Sequence, residues 1–153
     1  MADHPLFLED IRVGLRFHSA EHALDEAQII DFAHRFDPQP FHLDDESAQR
    51  TVFGGLAASG WHTASITMRL LVGEGAPIAG GIVGAGAEVQ WPQPTRPGDV
   101  LRVESEVLEV TPSRSRPDRG IVRLRSQTLN QRGEVVQVLT SSLVVPRRNR
   151  IAA

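Results

Sequence analysis

The chain reads as an α+β domain in which a strongly curved antiparallel sheet wraps one apolar helix. Three observations lead there. The second half holds four Val- and Leu-rich stretches of strand length, at 82–91, 100–110, 121–130 and 134–145. Residues 60–72 form a helical stretch whose apolar and small residues face nearly every direction, the pattern of a buried helix. The order of elements, one strand, then helices, then a run of strands, gives one helix to a single sheet and calls for the sheet to curve around it.

The elements follow in chain order. Residues 15–24 (LRFHSAEHAL) alternate loosely and predict a first short strand, with His18 and His22 on one face. Asp25 and Gln28 then give a capping-box signal. Ile29, Ile30, Phe32, Ala33 and Phe36 follow as one apolar helical face. Pro38 disfavours helical geometry in the residue before it, so this helix should end at Phe36 or Asp37. Asp37-Pro38-Gln39-Pro40-Phe41-His42 reads as a stiff connector, and 44–50 as a short helix. Ser59 is the expected N-cap of the long apolar helix. Gln131-Arg132-Gly133 predicts a tight hairpin between the last two strands, and the tail from about residue 147 is expected to fray.

The 153 residues suit one domain with a substantial core, and 41% hydrophobic with 23% charged residues is ordinary globular composition. A net charge of −3 offers no broad basic surface for nucleic acid. No stretch approaches the ~18 apolar residues of a transmembrane helix. Met1-Ala-Asp-His-Pro5 lacks the charged and apolar regions of a signal peptide, which predicts a cytoplasmic protein away from membranes. With no Cys, thiolate metal sites, iron–sulfur clusters and a thiol nucleophile are excluded. All 16 basic residues are Arg, which excludes Schiff-base chemistry and a phosphate-loop lysine.

Two places could carry chemistry. Asp37 and His42 flank a double-proline turn and, if the chain reverses there, could hold a water between them and move its protons near neutral pH. The same residues also suit a helix end followed by a helix start. At 58–62, the first N–H groups of the apolar helix lack intrahelical partners and carry the positive end of its dipole. Gly60 there would admit a carbonyl oxygen, as in an oxyanion hole. From the residues alone, an ordinary Ser59 cap with close helix–sheet packing at Gly60 is the better reading. His62 reads as a packed histidine, and His4, His18, His22 and His34 form no metal-ligand spacing, so no metal is expected. Arg114, Arg116 and Arg119 lie in a loop that suits either solvent or the phosphates of a large ligand. Gly80, Gly81, Gly84 and Gly86 lack the following helix of a dinucleotide fingerprint.

DPQPFH (37–42), FGGLAASGWHTAS (53–65) and WPQPTRPGD (91–99), in that order, resemble the MaoC-like acyl dehydratases, or (R)-specific enoyl-CoA hydratases, of fatty-acid metabolism. The resemblance spans roughly residues 7–145. It implies a hot-dog fold over a single domain, 1–153, in a homodimer or higher homo-oligomer. It also implies reversible syn hydration of a trans-2-enoyl thioester to an (R)-3-hydroxyacyl product. Asp37 and His42 would be the catalytic pair, the Gly60 N–H the oxyanion donor, and Ser59 and Trp61 substrate-binding neighbours. Coenzyme A or acyl carrier protein would arrive with the substrate, and no cofactor would be needed. Gln39 and Ser59 stand where relatives often carry Asn and His. A hot-dog thioesterase would place a carboxylate on the central helix, and none occurs between Gly60 and Gly73. A non-catalytic acyl-thioester binding subunit would leave Asp37 and His42 without a role.

Overall fold

The computed structural model describes residues 4–149. After a single 3-10 turn, strand β1 (Arg16–Ala23) leads into helix α1 (Glu26–Phe36) and two one-turn helices, α2 (Pro40–Leu43) and α3 (Asp45–Ala48). The central helix α4 (Gly60–Leu70) follows and ends in one π-helical turn, Leu71–Gly75. Strands β2 (Val83–Gln90), β3 (Val100–Pro112), β4 (Arg119–Leu129) and β5 (Val135–Pro146) complete the chain. They form one antiparallel sheet in the order β1-β3-β4-β5-β2. This is the expected α+β, hot-dog arrangement.

The core lies between α4 and the sheet. Ile66, Leu70 and Leu71 pack against Leu101, Val103, Val107, Val122, Leu124 and Val136 from the inward positions of β3, β4 and β5. Those strands alternate buried and half-buried residues, as a sheet with one covered face must. At the hairpin between β4 and β5, Gly133 takes a φ of 77°, and its N–H bonds to the Asn130 carbonyl.

Several local expectations differ. Asp25 caps α1 by accepting from the Gln28 N–H, but the Gln28 side chain turns to Ala23 and His22, so only half the capping box forms. On α1 only Ile29 and Ala33 are buried; Phe36 remains exposed beside Phe32. The connector is itself partly helical, with Pro40 in the first turn of α2, where its missing N–H costs nothing. A bulge between His18 and Glu21 breaks the alternation of β1, leaving His18 exposed and turning His22 half-inward against Gln28. The central helix is not fully wrapped, since Trp61, Met68 and Val72 stay exposed. Arg148, in the segment expected to fray, is held by Glu9 and Asp10, while Arg147 donates to the Asp118 carbonyl. The remainder of that tail, 150–153, lies outside the described residues.

Candidate active site

The chain does reverse at the double proline. Asp37 caps the C-terminus of α1, its N–H bonded to the Ala33 carbonyl, and Pro38 prevents further helix. Gln39 then caps α2, whose single turn carries His42 inward. The result places His42 Nε2 3.3 Å from Asp37 Oδ2. His42 is buried against Phe41 and Phe53, and its Nδ1 lies 2.6 Å from the Ala57 carbonyl oxygen. A carbonyl only accepts, so Nδ1 carries the proton. In the neutral ring, the Nε2 lone pair therefore faces the carboxylate. Whatever joins two acceptors must donate to both: a water, or a proton held on the ring.

Asp37 is tied to the start of α4. The Ser59 hydroxyl donates to Asp37 Oδ2 at 2.7 Å and accepts the Trp61 N–H at 3.3 Å, so one buried side chain joins the carboxylate to the helix cap. Gln39 Nε2 donates to Oδ1 of the same carboxylate. Partial burial pushes the Asp37 carboxyl up, but the hydrogen bonds from Ser59 and Gln39 and the adjacent His42 outweigh it. Its pKa falls below the ordinary value.

The pair opens onto a cavity of about 390 Å³ whose wall includes Asp37, His42, Gly60, Trp61, Thr63 and Trp91. Among the described residues, no acceptor meets the Gly60 N–H. The Trp91 indole lies against Gly60 so closely that a Cβ there would stand 2.6–2.9 Å from three ring atoms. Of the residues singled out from sequence, Asp37, His42, Gly60 and Trp61 line this cavity. Ser59 does not; it sits behind the wall and positions Asp37. Arg114, Arg116 and Arg119 lie around the loop at the far end of the 13-residue β3, away from Thr95 at the cavity, and Arg119 pairs with Asp118.

Sequence reasoning missed Arg96 and Trp91. The Arg96 guanidinium donates to the carbonyls of Phe53, Gly55 and Leu56, pinning the loop that presents Ala57 to His42. Only the position of Arg96 between two prolines, inside WPQPTRPGD, hinted at such a clamp. Chemically, the site offers a paired base and acid facing an unpaired N–H at a helix N-terminus. That suits addition of water to a polarised double bond.

The family model described as MaoC like domain matches residues 12–128. The chain belongs to the MaoC-like family. This MaoC-like chain is 66% identical to the crystal structure of a MaoC-like dehydratase from Rhodospirillum rubrum, with a TM-score of 0.92 over 94% of this chain and 98% of that one. It is 33% identical over 113 residues to a 3-hydroxybutyryl-CoA dehydratase of Methylorubrum extorquens, covering 72% of this chain and 69% of the relative. It also superposes on the (R)-hydratase PhaJ1 of Pseudomonas aeruginosa at 25% identity and a TM-score of 0.76, over 94% and 88% of the two chains. Among the described residues no helix is long and apolar enough to cross a membrane, and no cluster of ligands suits a metal ion.

His62, in the first turn of α4, stacks on Phe32 at 4.5 Å, and its buried Nδ1 meets no partner among the described residues. Burial, aided by His22 and opposed by Asp31, holds its pKa below the ordinary 6.5. Between the folded and unfolded values the unfolded chain binds a proton that the folded chain does not. Stability therefore falls as pH drops through about 6.5. In His62→Phe, which keeps the stack, melting temperatures should fall less between about pH 7 and pH 5 than in the wild type. Identical pH slopes would remove His62 from this account.

Proposed function

We propose that this MaoC-like domain catalyses reversible syn hydration of a trans-2-enoyl thioester, carried on coenzyme A or acyl carrier protein, to the (R)-3-hydroxyacyl product. The observation that carries the reading is the 3.3 Å approach of His42 Nε2 and Asp37 Oδ2 on a cavity shared with the Gly60 N–H. The thioester oxygen accepts from Gly60, so the charge of the developing enolate meets the positive end of α4. The pair holds the water over one face of the double bond. The water oxygen bonds to C3, the C2–C3 π electrons move into the enolate, and one water proton passes to the pair. The enolate then collapses, and C2 takes that proton back from the same face, restoring the pair. The Nε2 lone pair of the neutral His42 ring is free to accept the proton, and Asp37, whose carboxyl is held low, stabilises the imidazolium that forms.

The test is a panel of trans-2-enoyl-CoA thioesters, followed by loss of the conjugated absorbance. Turnover to (R) product supports the reading. Release of free thiol from saturated thioesters, without hydration, would replace it with a thioesterase, although α4 offers no carboxylate for that reaction. Binding without either reaction would make the chain a carrier subunit.

The working form is a homodimer. Trp61, Met68 and Val72 form an exposed apolar stripe along α4 and its π turn, and β2 is an edge strand with Val83 exposed. An uncovered apolar face beside an unpaired edge favours a second copy. Sedimentation equilibrium should return twice the chain mass for the wild type and a shift toward monomer for Met68→Glu. A monomeric wild type would overturn the dimer.

A further inference from the structure

Beyond the active-site cavity lies a second one, of about 260 Å³, whose wall is mostly apolar and includes Met68, Leu71, Leu124, Leu139 and Leu143. A polar layer lies between them along α4 and β5. Trp91 Nε1 donates to Gln137 Oε1 at 2.9 Å, and Gln137 Nε2 donates to Thr67 Oγ1 at 3.0 Å. The Thr67 hydroxyl itself donates to the Thr63 carbonyl and pairs with Thr128 at 2.6 Å. Gln137, Thr67 and Thr128 are wholly buried.

The order along two elements makes this layer a partition. On α4, Gly60 and Thr63 line the first cavity, Thr67 belongs to the layer, and Met68 and Leu71 line the second. On β5, Gln137 holds Trp91, and Leu139, Ser141 and Leu143, at the following same-face positions, line the second cavity. A lone Gln at an inward position of a Val- and Leu-rich strand is costly to bury unless each polar atom is engaged, and here both ends of its amide are. An alkyl tail reaching past Trp91 would have to break that network and leave its members unpaired.

We infer that the Trp91–Gln137–Thr67 layer ends the acyl site and confines this chain to short acyl groups. The inference rests on the proposed thioester site. Trp91 acts as the specificity-determining wall, and Gln137 is a positioning residue that acts through it. The second cavity, beside the exposed Met68 and the β2 edge that the homodimer covers, then holds apolar space on the far side of this wall from the thioester.

The test compares kcat/KM for crotonyl-CoA and trans-2-octenoyl-CoA in the wild type, Trp91→Ala and Gln137→Leu. The wild type should prefer the short substrate by about tenfold or more, and both variants should raise the long-to-short ratio by about tenfold or more, even where absolute rates fall. A purely structural role for either residue would lower both rates and leave the ratio alone. Equal wild-type rates on the two substrates, or unchanged ratios in folded variants, would overturn the inference. Calorimetric titration of the wild type with butyryl-CoA and octanoyl-CoA reads the same wall without turnover. Preference for butyryl-CoA with no hydration at any length would uphold the partition and overturn the hydratase. Absence of any preference would overturn the partition whatever the turnover, and binding of neither, with no hydration at any length, would overturn both.

Discussion

Asp37→Asn and His42→Ala should each lower kcat/KM on a short trans-2-enoyl-CoA by about 10²–10⁴-fold, the usual worth of a positioned acid–base group. Both variants should stay folded. In Asp37→Asn the new amide oxygen can still accept from the Ser59 hydroxyl, which in the wild type donates to Asp37 Oδ2 at 2.7 Å. The space left by His42→Ala is walled by Phe41 and Phe53, which remain in contact with each other. Because the two groups move one proton between them, the double variant should be scarcely worse than either single one. Asp37 is held below the ordinary carboxylate value of 3.8, so it stays ionised beside His42 near neutral pH, as stabilisation of an imidazolium 3.3 Å away requires. Wild-type rates in either single variant would end the acid–base account.

Gly60→Ala should be nearly as damaging, for a different reason. The substitution retains the N–H but places a methyl 2.6–2.9 Å from the Trp91 ring, closer than atoms tolerate. Either the indole swings away or the first turn of α4 shifts, and the donor moves from the position the enolate oxygen needs. The loss in kcat should approach the roughly 10²–10³-fold that follows removal of an oxyanion donor. Overpacking should also cost about 1–3 kcal/mol of stability, read by denaturant unfolding. Adding Trp91→Ala to Gly60→Ala should recover much of that stability, since the two positions share one contact. Full activity in Gly60→Ala would remove the helix terminus from the mechanism.

Much of this was legible in the residues. Strand and helix positions followed from Val- and Leu-rich runs, the Ser59 cap and the Pro38 stop, because those signals are local. What escaped depended on partners distant in sequence. The bulge that parts His18 from His22 is set by the pairing of β1 with β3, which no alternation within β1 reveals. Phe36 belongs to the apolar stripe of α1 by spacing, yet among the described residues no element covers it. Arg148 is held by Glu9 and Asp10, 139 and 138 residues away in sequence. At the site, the DPQPFH spacing raised Asp37 and His42 as a pair, but their convergence depends on the turn of α2 and on Ala57, 15 residues past His42. Ser59 was legible as a cap and not as the anchor of Asp37. Gln137 carried the one readable trace of the partition, a polar residue amid Val135, Val136 and Val138.

The central claim is that Asp37 and His42 deliver both the oxygen and the proton from one side of the substrate while Gly60 holds the carbonyl. Hydration of crotonyl-CoA in deuterium oxide, with the relative configuration at C2 and C3 of the product determined by NMR, tests it most directly. The account predicts a single deuterium at C2, syn to the new hydroxyl, with (R) configuration at C3, and loss of the product in both Asp37→Asn and His42→Ala. Anti addition would contradict it, since water and proton would then arrive from opposite faces, and (S) product would overturn the (R) assignment.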